Sequence, residues 1–122
     1  MARLYAQVTG VTLIILGLVG IITGDVLLSL NSELVEDIVH LLAGAVALYA
    51  GFGTRSDGPA IQYARIFGAV YLLLGILGFV IPRLFGLLPD VGYRIQDNIV
   101  HLVLGAIGLY IGFAADRSSA RM

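Results

Sequence analysis

The chain has no cysteine, no tryptophan and no lysine. Without cysteine there are no disulfides, no thiolate metal sites and no thiol nucleophile. All seven of its cations are arginine, and only 12% of its 122 residues are charged, against roughly 25% in a soluble domain. The formal net charge of −1 leaves no basic footprint for nucleic acid. What is present is apolar: 59% of the residues are hydrophobic, 16 are glycine, and the mean hydropathy is +0.99. Such a chain has lipid as its solvent and little length to spare for a soluble domain.

Four stretches carry no charge: 4–24, 38–54, 66–82 and 98–115. A spanning helix needs about 17–25 mostly apolar residues, and all four reach that length when polar ends snorkel. The pattern predicts helices near 4–23, 33–53, 62–81 and 95–115. The first exceeds the apolar core of a cleavable leader and has its own counterpart later in the chain, so it reads as a span. Arginine placement gives the orientation. Arg3, Arg55, Arg65, Arg117 and Arg121 fall on one side; Arg83 and Arg94 fall on the other, among six acidic residues. The positive-inside rule then puts both termini in the cytoplasm. Tyr5, Tyr49, Tyr63 and Tyr110 are expected at the cytoplasmic interface and Tyr93 at the outer one.

One phrase occurs twice. Residues 38–52 read IVHLLAGAVALYAGF and residues 99–113 read IVHLVLGAIGLYIGF, with ten of fifteen positions identical at an offset of 61. At an offset of 58, Tyr5, Gly10, Gly17 and Gly20 find Tyr63, Gly68, Gly75 and Gly78. The expected fold is therefore all-α: a single four-helix domain over 1–122, built as two tandem helical hairpins (1–56 and 57–122). Both enter from the same side, so the repeats are parallel, with a pseudo-two-fold axis along the membrane normal.

The copies share a stripe of small residues. His40, Gly44, Ala47 and Gly51 are spaced 4, 3 and 4, as are His101, Gly105, Gly108 and Gly112. At about 100° per residue each set falls on one narrow helix face. Small faces let helix backbones approach closely, which drives packing in lipid.

Each stripe carries one of the chain's two histidines at its outer end. Asp37 and Asn98 precede them by three residues, Glu36 and Asp97 by four, so each imidazole has acceptors on its own helix face. One use is structural: the acceptors fix the tautomer and tie helix ends together. Others are functional, since ionisable groups inside a membrane are costly. His40 and His101 at equal depth could hold a haem iron axially, with Gly44 and Gly105 making room for the macrocycle. They could hold a divalent metal together with Asp37 and Asp97. They could also relay or sense protons. Ser32 reads as the N-cap of the second helix. Nucleophilic catalysis has no support, because the serines sit in loops or the tail. Transport is poorly supported, because no mid-helix proline breaks a span.

The segment D/N-x-x-H-L-x-x-G-x-x-x-L-Y-x-G on the second and fourth helices resembles a group of small four-helix bacterial membrane proteins known only as a domain of unknown function. Their recurring element is N-x-x-H-L-x-x-G. Asn98, His101, Leu102 and Gly105 match it fully; in the first copy Asp37 stands for the asparagine while His40, Leu41 and Gly44 match. The resemblance implies a topology and a bacterial setting, and no activity. The expected role is non-catalytic: a structural or accessory membrane protein, in contact with the lipid bilayer, packing through small-residue faces as a homo-oligomer or as a subunit of a membrane complex. Binding of a haem-like cofactor or a metal by His40 and His101 is the alternative.

Overall fold

In lipid a chain must satisfy its backbone hydrogen bonds internally, and helices do so within one segment. The computed structural model describes the backbone of residues 1–24, 26–27, 30–89 and 92–121, and the side chains of residues 1–24, 32–89 and 92–114. It has four long helices: α1 (Ala2–Thr23), α2 (Leu34–Phe52), α3 (Gly58–Val80) and α4 (Ile95–Arg121). All of α1, α2 and α3, and Ile95–Ala114 of α4, are long and apolar enough to cross a membrane. Of the charges used to orient the chain, Asp25, Asp90, Asp116, Arg117 and Arg121 lie outside the described side chains.

The helix ends follow local chemistry. The amide of Gly24, at φ 99°, donates to the Gly20 carbonyl and closes α1. Pro59 sits in the first turn of α3, where its missing N–H costs nothing. Ile81 is pushed out of helical geometry by the following Pro82, and α3 stops there. Between α1 and α2, Val26–Leu27 and Leu30–Asn31 form a two-residue antiparallel ladder. Between α3 and α4, Leu84–Gly86 make one 3-10 turn with positive φ at Leu84, Phe85 and Gly86. The apolar residues of that loop divide: Leu88 is fully buried beneath it, and Phe85 projects outward.

α1 packs along α2, and α3 along α4, with glycine at the closest approaches. A methyl carbon on Gly17 would lie 2.7 Å from Leu41 Cγ, and one on Gly75 2.7 Å from Leu102 Cγ. Gln7 Nε2 donates to the Gly51 carbonyl (2.9 Å), and Arg65 Nε to the Gly112 carbonyl (3.1 Å). The core between the two helix pairs is aromatic on one side. Tyr63, Phe67 and Tyr71 run up one face of α3, with Phe67 and Tyr71 stacked 4.0 Å apart.

Three of the five tyrosines expected at the interfaces, Tyr5, Tyr63 and Tyr93, are buried within the protein. Tyr5 and Tyr63 are each 8% exposed. Tyr5 donates to the Leu104 carbonyl of α4 (3.0 Å) and Tyr63 to the Ala43 carbonyl of α2 (3.2 Å). A helical carbonyl keeps a second lone pair, so each phenol finds a partner within the apolar core. Tyr49 and Tyr110 are exposed, and Tyr93 is buried.

Candidate functional site

The site gathers where α2 and α4 begin. Glu36, in the first turn of α2, lies one turn before His40 on the same face. His40 Nε2 is 3.2 Å from Glu36 Oε1, and His101 Nε2, reaching from α4, is 3.8 Å from the same oxygen. Glu36 Oε2 accepts the Tyr93 hydroxyl at 2.7 Å. A carboxylate only accepts, so the ring nitrogen beside it is the one that carries the proton. Next to this, Glu33 Oε2 accepts the Gly92 N–H at 2.9 Å. Two acids at the start of α2 thus hold the segment that leads into α4.

The cluster is dry. Glu36 is 4% exposed and His101 5%. The His101 ring meets Tyr71 and Tyr93 edge to face, with centroids 5.0 and 4.9 Å away. Burial, reinforced by the facing Glu36 carboxylate, holds the Tyr93 phenol well above its ordinary value. Tyr93 therefore stays protonated and acts as a donor. A cavity of about 40 Å³ lies among these groups, with Glu36, His40, Tyr71, Asp97 and His101 on its wall. Four buried polar atoms have no hydrogen-bond partner among the described residues: His40 Nδ1, His101 Nδ1, Tyr71 Oη and Asn98 Oδ1.

The residues singled out in the sequence fall into three groups. His40, His101 and Asp97 meet around the cavity. Asp97 also caps α4, its Oδ2 accepting the Arg94 N–H at 3.0 Å, the carboxylate half of a capping box. Asp37 is turned to α1: its Oδ1 accepts the Ser32 hydroxyl at 2.7 Å, and both groups lie against Gly20. Ser32 is therefore not the N-cap of α2; Glu33 holds that position, and the Ser32 hydroxyl serves Asp37. Gly44 and Gly105 complete the division. They admit Ile14 of α1 and Leu72 of α3 respectively, so the room they provide is filled by neighbouring helices.

That arrangement bears on ligands. Both Nε2 atoms converge on one carboxylate, and the space beside them is about 40 Å³. Pockets that enclose an organic ligand measure roughly 300 Å³ or more, and the space between the two histidines is smaller than that. Among the described residues no group of three or more His, Asp or Glu side chains is arranged to hold a metal ion.

Sequence reasoning placed Glu36 within reach of His40 but not at the centre, and it missed Tyr71 and Tyr93 as members. A signal existed for both. Tyr71 stands 58 residues after Leu13, and Tyr93 stands 61 after Ser32. Each breaks the repeat by placing a phenol where the first copy has an aliphatic or small side chain. No curated protein and no solved structure matches the chain. A family described as a domain of unknown function, DUF4383, matches residues 3–114, and the chain belongs to that family.

Proposed function

We propose that the chain is a non-catalytic membrane protein of the bacterial inner membrane, a structural or accessory unit that works as a homo-oligomer or within a larger membrane complex. It is two tandem hairpins, 1–56 and 57–122, with both termini cytoplasmic and the histidine cluster on the outer side. Its small-residue faces hold the two hairpins closed, and the cluster around Glu36 locks them to each other.

The observation that carries this reading is a set of reciprocal contacts. The Tyr5 bond to Leu104 and the Tyr63 bond to Ala43 join α1 to α4 and α3 to α2. Donors and acceptors there correspond at offsets of 58 and 61. The Gln7–Gly51 and Arg65–Gly112 bonds correspond in the same way. A pseudo-two-fold axis between the hairpins accounts for all four. The glycine faces are spent inside the chain. A partner would therefore meet the large apolar side chains outside, such as Leu42, Phe52, Leu73 and Phe79.

Native mass spectrometry of the protein released from membranes in mild detergent tests the role. A complex of several copies, or of this chain with other membrane subunits, is expected; a stable lone monomer would overturn it. Topology has its own test, helped by the lack of native cysteine. In intact spheroplasts an impermeant maleimide should label Leu87→Cys and spare Ser56→Cys. The reverse pattern would invert the proposed orientation.

A further inference from the structure

The cavity beside the two histidines has more polar capacity than the protein itself uses. Three of the buried atoms without a partner, His40 Nδ1, His101 Nδ1 and Tyr71 Oη, belong to residues on its wall. Tyr71 is 3% exposed and His101 5%, so bulk water does not supply the missing partners. Buried polar groups are almost always hydrogen-bonded, to protein or to ordered water. The size admits a small occupant: the cavity is about 40 Å³, above the roughly 10–15 Å³ that holds a water and well below the roughly 300 Å³ of an organic-ligand pocket.

The chemistry of the wall narrows the occupant further. With Nε2–H turned to Glu36 at 3.2 Å, the His40 imidazole keeps a lone pair on Nδ1 and can only accept there; His101, whose Nε2 faces the same oxygen from 3.8 Å, takes the same tautomer in this arrangement. Glu36 and Asp97 on the same wall disfavour an anion. From α1 the wall has only Leu13 and Leu16, which offer no partner. The occupant must therefore donate hydrogen bonds, be small, and be neutral or positive.

We propose that this cavity is a binding site for one water-sized hydrogen-bond donor, water or ammonium, which joins the Tyr71 hydroxyl to the imidazoles of His40 and His101. Once occupied, the site makes Glu36, both histidines and Tyr71 a single hydrogen-bonded unit across α2, α3 and α4. A proton can then pass between helices without leaving the protein. This goes beyond the packing role above, and a failure here leaves the oligomer measurement untouched.

The test uses the whole protein, isotope-labelled and reconstituted in lipid bilayers. The chain has two histidines, so their ring nitrogens are resolved and assigned by single His→Gln variants. Water-edited solid-state NMR then reads transfer from water to each ring. His101, the more buried ring, is the diagnostic one. In ammonium-free buffer its Nδ1 signal should build up quickly and at a hydrogen-bonded shift. Tyr71→Phe should slow the build-up several-fold, and Leu13→Phe, which fills the void, should abolish it. A Nδ1 shift that changes only when ammonium chloride replaces sodium chloride would identify ammonium as the occupant. No water transfer to His101 and no response to ammonium would overturn the proposal. So would a spectrum in which His101 carries its proton on Nδ1.

Discussion

The two helix pairs begin as copies and end as complements. Along most of their length α1–α2 and α3–α4 make matching contacts: Gly17 against Leu41 and Gly75 against Leu102, Gln7 on Gly51 and Arg65 on Gly112. Towards the histidine end they part. In the first pair Ser32 bonds Asp37, its own neighbour. In the second, Tyr93 takes the place of Ser32 and reaches across to Glu36. α1 buries Thr9 and Leu13 where α3 buries Phe67 and Tyr71. One pair thus supplies the carboxylate and the other the phenols. Repetition builds the two pairs and ties them together at Tyr5 and Tyr63; at the histidine end, departure from repetition joins them.

The sharpest break of that comparison is at Glu36 and Asp97, which correspond at the offset of 61. Glu36 receives the Tyr93 hydroxyl and the His40 and His101 ring nitrogens face it, with Glu36, Tyr93 and His101 buried and His40 nearly so. Glu36→Ala strips these donors of their acceptor, and an uncompensated buried network is expensive, here about 3 kcal/mol. Asp97→Ala removes one capping bond to the Arg94 N–H, worth about 1 kcal/mol. Unfolding by sodium dodecyl sulfate, followed by circular dichroism in mixed micelles, reads both. A Glu36→Ala loss of only about 1 kcal/mol would mean that Glu36 is a cap and not a hub.

Much of this architecture is written in local pattern. Four charge-free stretches become α1 to α4 within a few residues, because span length and backbone satisfaction in lipid leave few alternatives. Glu36 and His40 were legible as neighbours because helical spacing alone brings them together. That Glu36 gathers the site was not legible. His101 and Tyr93 arrive from 65 and 57 residues away in sequence, and only the packing of α2 against α4 and its preceding loop decides which acid they meet. Tyr5 and Tyr63 show the same limit from the other side. A tyrosine near a span end belongs at the interface by composition, yet a free carbonyl lone pair on a facing helix draws it inside. Which carbonyl is in range depends on helix rotation, which a stripe of small residues leaves open.

A smaller contrast separates the pairs in mid-span, and it starts from one residue. Ala47 of α2 corresponds to Gly108 of α4. Losing that methyl lets α3 and α4 close up, and the effect shows at the neighbouring glycine. A methyl on Gly105 would collide with the backbone nitrogen of Leu72 and lie 2.8 Å from the Gly68 carbonyl oxygen. A methyl on Gly44, its counterpart, would lie 3.0 Å from Ile14 Cγ1 and 3.1 Å from the Ile14 backbone nitrogen, a looser fit on both counts. Backbone gives way only if the whole helix moves, whereas a side chain can shift by a few tenths of an ångström. Gly105→Ala should therefore cost about 2–3 kcal/mol, at the upper end for overpacking, and Gly44→Ala about 1 kcal/mol. The same detergent titration measures the difference. A Gly44→Ala loss as large as that of Gly105→Ala would show that the two pairs are equally tight, and that Gly108 does not set how closely α3 and α4 approach.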